Sequence, residues 1–137
     1  MTTRPGTDHL NEKQLAQLDA AEAIFADSEI ELDPETVAAQ LAAGSVQLID
    51  VRESYEHEAG HIAGARPIEI ERLGWNAPTI DRDLPVVFCC RLGIRAKIAT
   101  HAFRRVGYEA YNLNGGVSAW VALGLPLEPH DGTVADH

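Results

Sequence analysis

Residues 86–96 read VVFCCRLGIRA. The first four residues form an apolar run typical of a buried strand, and an alanine-rich helical pattern begins near Ala96. In an α/β sheet such a junction lies at the carboxyl end of a parallel strand, where ligands bind and the amino end of the next helix faces them. We therefore expect the nucleophilic side chain of Cys90 to lie in the functional site.

The elements on either side of this junction alternate between strand and helix. This order predicts an α/β fold, an open and mainly parallel sheet with helices on both faces. Strands are predicted over residues 46–51, 86–89 and 109–113, with short extended runs at 30–32 and 64–68. Helices are predicted over residues 10–26, 34–43, 52–58, 95–106 and 117–123, whereas residues 71–84 are predicted as a loop with at most one helical turn.

The chain has 137 residues, which favours one principal domain. We assign residues 1–29 to an acidic helical extension, 30–128 to the domain and 129–137 to a flexible tail. Residues 1–35 contain nine acidic and two basic side chains, and we interpret this charge as a solvated helix face.

Composition and charge exclude several classes of function. The formal net charge is −10, and no stripe of Lys and Arg is present to bind nucleic acid. No segment has the length and apolarity of a membrane span or of a secretion signal, so we expect a cytoplasmic protein without a membrane partner. The two cysteines are adjacent and cannot form a useful disulfide, which fits a reducing compartment.

The residues after Cys90 have the chemistry needed to stabilise a thiolate. Backbone N–H groups of a strand-to-helix loop form a concave anion site, and Arg91 and Arg95 add positive charge. Gly93 permits positive φ and close approach of the backbone to a ligand. Cys89, by contrast, is interpreted as a small buried strand residue.

Five motifs together resemble those of a single-domain rhodanese, and they cover roughly three quarters of the chain. They are DVRE at residues 50–53, GHIAGA at 60–65, CRLGIR at 90–95, GY at 107–108 and GGVSAW at 115–120. Trp120 and His61, which belong to two of these motifs, are expected to be structural, since a tryptophan here suits the core and a lone histidine is most often satisfied by hydrogen bonds.

The resemblance implies a sulfurtransferase that carries sulfane sulfur as a persulfide on Cys90. Its substrates would be a donor, such as thiosulfate, mercaptopyruvate or another persulfide, and a thiol or other nucleophilic acceptor. Asp50 and Arg52 would brace the active-site loop from the neighbouring strand. The backbone of that loop would hold the transferred sulfur; the loop residues are Arg91, Leu92, Gly93, Ile94 and Arg95. No cofactor is implied, and the histidines lack metal-ligand spacing with the cysteines.

The sequence departs from the family pattern at positions that bear on the choice of sulfur donor. Family members that use thiosulfate well often have a basic residue at the position of Leu92. Glu53, Glu56 and Glu58 follow the Asp-x-Arg motif, and we expect them to make the entrance acidic. A protein-bound or less charged persulfide is therefore our hypothesis for the donor.

Two alternative functions remain open at this point. Counted from Cys89, the loop fits the Cys-x5-Arg pattern of phosphatases with the same fold, ending at Arg95, whereas counted from Cys90 it is the shorter Cys-x4-Arg loop of sulfurtransferases. A longer ring of N–H groups fits a phosphoryl group, and a shorter one fits sulfur. The second alternative is a non-catalytic rhodanese-like module that binds a partner or carries sulfur.

Overall fold

Five parallel strands form the sheet in the computed structural model, which describes residues 28–137. Their spatial order is β1-β5-β4-β2-β3, and every pairing between neighbours is parallel. The strands are β1 (Glu31–Leu32), β2 (Gln47–Asp50), β3 (Arg66–Pro67), β4 (Val86–Cys89) and β5 (Ala110–Leu113). The predicted parallel sheet is confirmed, and β4, which precedes Cys90, is its central strand.

Five α-helices follow or connect these strands in the described part of the chain. They are α1 (Pro34–Ala42), α2 (Ser54–Ala59), α3 (Leu73–Asn76), α4 (Ile94–Arg105) and α5 (Gly116–Ala122). Short 3-10 helices cover Ser28–Ile30, Ile70–Arg72 and Ala77–Thr79. The predicted N-cap Asp33 precedes α1, whose first residue is the expected proline.

The sheet separates two apolar cores, because successive strand residues point to opposite faces. On one face, Ile49 and Phe88 pack with three side chains of α4. On the other face, Leu48 and Val87 pack with α1 and α5. The helical contributors are Ala96, Ala99 and Phe103 to the first core, and Val37, Val117 and Trp120 to the second. Helices therefore cover both faces, and the predicted core position of Trp120 is confirmed.

The segment between β3 and β4 differs from the prediction. Residues 70–79 form three consecutive short helical segments rather than a loop with one turn. Leu73 and Ile80 are buried, whereas Trp75 is 89% exposed, so the segment has no continuous apolar stripe. Helical periodicity could not reveal it, because each piece is only three or four residues long.

Some predictions concern residues before Ser28, which the structure does not describe, and others are not tested by it. The helix predicted over residues 10–26 and most of the acidic extension lie outside the described residues. The domain limits 30–128 and the flexibility of residues 129–137 stay predictions. Within residues 28–137, no helix combines the length and apolarity needed to cross a membrane.

Candidate active site

Cys90 directly follows β4 and is buried beneath a loop. Its Sγ accepts hydrogen bonds from the backbone N–H of Gly93 at 3.1 Å and of Ala96 at 3.4 Å. Both donors belong to the turn that starts α4, so the positive end of this helix faces the sulfur. Cys90 also lines a cavity of about 240 Å³. The site thus combines a thiol, aimed N–H donors and room for a small ligand.

The backbone of the loop depends on glycine at one position in particular. Gly93 is the N-cap of α4 and has φ of +101°, a left-handed conformation that other residues adopt at a cost. The residues beside it turn outward, since Leu92 is 54% and Ile94 70% exposed. The apolar side chains of the loop therefore lie at its rim while N–H groups point to the sulfur.

The amino end of α5 holds the other side of the loop. Val117 N donates to the carbonyl of Cys90 at 2.8 Å, and Ser118 N donates to that of Arg91 at 3.1 Å. This approach requires Gly116, because a Cβ there would lie 2.5 Å from the carbonyl oxygen of Arg91 and still closer to that of Cys90. The sequence indicated only a turn at this glycine pair, and its role in the site was missed.

Cys89 and Cys90 lie on opposite faces of the sheet. Cys89 is fully buried in the core formed with α1 and α5, whereas Cys90 belongs to the α4 side. Burial raises the pKa of the Cys89 thiol well above its ordinary value, and the neighbouring carboxylate of Asp50 raises it further. Cys89 is therefore a buried core residue, as the sequence predicted, and its raised pKa keeps the thiol protonated.

Asp50 and Arg52 form a buried ion pair at the carboxyl end of β2. Arg52 donates to both carboxylate oxygens of Asp50, the shortest contact being 2.7 Å, and to the carbonyl of Gly60 at 2.8 Å. His57 Nδ1 lies 2.9 Å from the same carboxylate. Burial alone would raise the pKa of Asp50, but the hydrogen bonds from Arg52 and His57 outweigh it and lower the pKa. These bonds fix β2 to α2, and a bracing role toward the Cys90 loop stays a prediction.

A direct ionic link from α2 to the loop comes from Glu56, which the sequence did not single out for this role. Both its carboxylate oxygens accept from Arg95, at 2.8 and 3.0 Å. Burial tends to raise the pKa of Glu56, yet the hydrogen bond from Arg95 lowers it overall. Glu56 therefore does not make the entrance acidic, and this expectation was wrong for Glu56, because it is buried and neutralised by Arg95. Glu53 and Glu58 are exposed as expected.

Arg91, the other loop arginine, also has a carboxylate partner. Its Nη2 lies 3.0 Å from Oδ1 of Asp136, near the carboxyl end of the chain.

His137 lines the Cys90 cavity and lies 3.3 Å from Glu53. Glu53, Glu56 and His137 bring potential metal ligands within 4.8 Å of one another, but both oxygens of Glu56 are already engaged by Arg95.

His61 lies behind these residues and supports the backbone. Its Nδ1 is 2.8 Å from the carbonyl of His57, and the two imidazole rings stack with centroids 3.9 Å apart. This arrangement agrees with the structural role expected for His61.

Comparison with known proteins finds a matching family model and similar chains. A family model described as Rhodanese-like domain matches residues 33–123. The chain is 37% identical over 79 residues to thiosulfate sulfurtransferase GlpE of Shewanella oneidensis, covering 57% of this chain and 78% of that protein. It is 44% identical over 75 residues to uncharacterized protein YqhL of Bacillus subtilis, covering 54% of this chain and 60% of the relative. The matched part is therefore less than two thirds of that relative.

A solved structure agrees with the fold. The crystal structure of a rhodanese-related protein from Thermoplasma volcanium has a TM-score of 0.67 and 24% sequence identity, covering 71% of this chain and 95% of that one. At this identity the likeness shows the fold alone.

Proposed function

The chain belongs to the rhodanese-like domain family, and from this premise we propose that it is a sulfurtransferase that carries sulfane sulfur as a persulfide on Cys90. The observation that carries the proposal is the pair of backbone N–H groups, from Gly93 and Ala96, that point at Sγ of Cys90. Such donors stabilise a thiolate, which is the form that attacks sulfur.

The proposed reaction has two steps. The Cys90 thiolate attacks the outer sulfur of the donor, so that a new S–S bond forms on Cys90 while the donor's own bond to that sulfur breaks. With thiosulfate as donor, the leaving group is sulfite and takes the bonding electron pair. An acceptor thiol, RSH, then takes the outer sulfur and leaves as RSSH, which regenerates the thiolate. The N–H groups of Gly93 and Ala96 stabilise the thiolate that starts the cycle and that is regenerated at its end.

The phosphatase alternative fits the geometry less well. A phosphatase using the Cys89-x5-Arg95 pattern would need Cys89 in the cavity, yet Cys89 lies in the opposite core with a raised pKa. Arg95 would also have to bind phosphate while both of its contacts are made to Glu56.

The electrostatics of the entrance support our hypothesis for the donor. Arg91 and Arg95 each pair with a carboxylate, and Leu92 presents an apolar side chain where a cation would favour a dianion. We therefore propose a protein-bound or less charged persulfide as the physiological donor, with a thiol as acceptor.

Intact-mass spectrometry after incubation with a sulfur donor tests the proposal. We expect a gain of about 32 Da, the mass of one sulfur, in the wild type and in Cys89→Ser but not in Cys90→Ser. Cys89→Ser is the matched control, since it removes the adjacent thiol by the same chemical change. A dithiol added afterwards should remove the extra mass.

Three results would overturn this assignment. An adduct that is lost in Cys89→Ser and kept in Cys90→Ser would move the chemistry to the other cysteine. Absence of an adduct with thiosulfate, mercaptopyruvate and a low-molecular-weight persulfide would instead favour the non-catalytic module, and hydrolysis of an aryl phosphate that depends on Cys89 would favour the phosphatase.

A further inference from the structure

Asp136 lies next to the Cys90 cavity, where it contacts Arg91, the first residue of the active-site loop and one that lines the cavity. We propose that Asp136 is a specificity-determining residue, which disfavours anionic sulfur donors by pairing with Arg91. The inference rests on the proposed sulfurtransferase function. Its basis is the 3.0 Å contact between Arg91 Nη2 and Asp136 Oδ1, with the carboxylate itself 94% exposed. A donor that binds near Arg91 therefore encounters this carboxylate as well.

The main chain before Asp136 is anchored at the carboxyl end of α2 by a hydrogen bond and a close backbone approach. Thr133 N donates to the carbonyl of Ala59 at 2.9 Å. Gly60 packs closely against the backbone of Gly132 and Thr133, since a Cβ on Gly60 would lie 2.5 Å from the Thr133 carbonyl oxygen. These contacts bring the last residues of the chain toward the active-site loop.

A side chain of α2 then holds Asp136 itself. The Tyr55 hydroxyl donates to the main-chain carbonyl of Asp136 at 3.0 Å. Next to it, His137 lies 3.3 Å from Glu53 and lines the cavity. Asp136 is thus held at its main chain and by its neighbour, so its position beside Arg91 does not depend on the ion pair alone.

The charges around the cavity explain how this carboxylate would select donors. The cavity is lined by two arginines, Arg91 and Arg95, and each already has a carboxylate partner. Glu56 is buried, whereas the carboxylate of Asp136 is exposed to solvent beside Arg91, so its charge can repel an anion that approaches this arginine. Electrostatic selection of this kind changes the rate of approach and scales with the charge of the ligand. Removing the charge of Asp136 should therefore free Arg91 to attract anions.

The substitution Asp136→Asn tests this inference with little change in shape. The matched control is Asp131→Asn, which removes the same charge from an exposed position in the same segment. Two donors are compared: thiosulfate, a dianion, and methanethiosulfonate, a monoanion that transfers the same outer sulfur and releases methanesulfinate. The readout is kcat/KM for sulfur transfer to a thiol acceptor at low and high salt.

We expect Asp136→Asn to raise kcat/KM for thiosulfate by about three- to ten-fold and for methanethiosulfonate by less. The gain should shrink at high salt, because exposed charges are then screened. Asp131→Asn should leave both donors close to the wild type. Equal effects of the two substitutions, or equal gains with the two donors, would overturn the inference. A wild type that transfers sulfur from neither donor, and that forms no adduct on Cys90 with a low-molecular-weight persulfide either, would instead overturn the proposed function.

Discussion

Replacement of Gly116 by alanine tests how strictly the amino end of α5 controls the active-site loop. The added Cβ would lie 2.5 Å from the carbonyl oxygen of Arg91 and closer still to that of Cys90, so backbone must move. Gly116 also has φ of +65°, where a side chain is strained. We therefore expect Gly116→Ala to lower both the stability of the fold and the reactivity of Cys90.

The magnitude can be built from two contributions. Left-handed backbone costs a residue other than glycine about 1–2 kcal/mol. Moving α5 away weakens the hydrogen bonds from Val117 and Ser118 to the loop carbonyls, each worth about 0.5–1.5 kcal/mol. The total is about 2–5 kcal/mol of lost unfolding free energy. A displacement of the sulfur by about 1 Å should in addition slow persulfide formation by roughly a hundred-fold.

Gly44→Ala separates the clash from the backbone strain. Gly44 has φ of +70°, and nothing lies within 4 Å of a Cβ placed there. This control should lose only the about 1–2 kcal/mol of backbone strain and keep its reactivity. Urea unfolding measures the stabilities, and mass spectrometry after brief exposure to a donor measures sulfur loading. Equal losses of stability and equal loading rates in the two variants would refute the proposed control of the loop by α5.

Two further predictions concern the buried charges. Glu56→Gln should reduce the free energy of unfolding at neutral pH but much less in acid. The folded protein holds the pKa of Glu56 below its ordinary value of 4.5. The stability that the Glu56 carboxylate contributes is therefore present above pH 4.5 and is lost as pH falls through the folded-state pKa. Urea unfolding at neutral and acidic pH checks this, and a stability gap between variant and wild type that stays constant with pH would contradict it. Arg52→Ala should cost about 3–5 kcal/mol, because it leaves the carboxylate of Asp50 buried without its partner. The control is Arg72→Ala at an exposed position, which should change the free energy of unfolding by no more than about 0.5 kcal/mol. Similar unfolding midpoints for the two variants would contradict the prediction for Arg52.

The strand-to-helix junction was predictable because its signals are local. The apolar run before the cysteines and the helical spacing after them placed α4 within one residue of its observed start. Alternation along β4 likewise predicted that the two cysteines point to opposite faces. The alternating order of strands and helices was enough to predict a parallel sheet, since each strand and helix is recognised from residues that are neighbours in the chain.

The partners of the loop arginines could not be predicted, because they come from distant parts of the chain. Glu56 lies in the polar run RESYEHE, where nothing distinguishes a buried glutamate from an exposed one. Asp136 lies 45 residues after Arg91, in a segment with the composition of a frayed terminus. Only the folded chain brings these carboxylates to the loop, and they determine the charge that a donor meets.

The placement of the two cysteines on opposite faces of the sheet has a consequence for the lifetime of a loaded sulfur. The chain contains two cysteines, and Cys89 is directed into the core away from the cavity. A persulfide on Cys90 would therefore have no resolving thiol within its own chain, and the same holds for a sulfenic acid formed there by peroxide. The transferred sulfur would leave only with an external thiol, so the local supply of acceptor thiol would determine how long Cys90 stays loaded. The same supply would determine how often a sulfenic acid on Cys90 is reduced before it is oxidised further to an irreversible state.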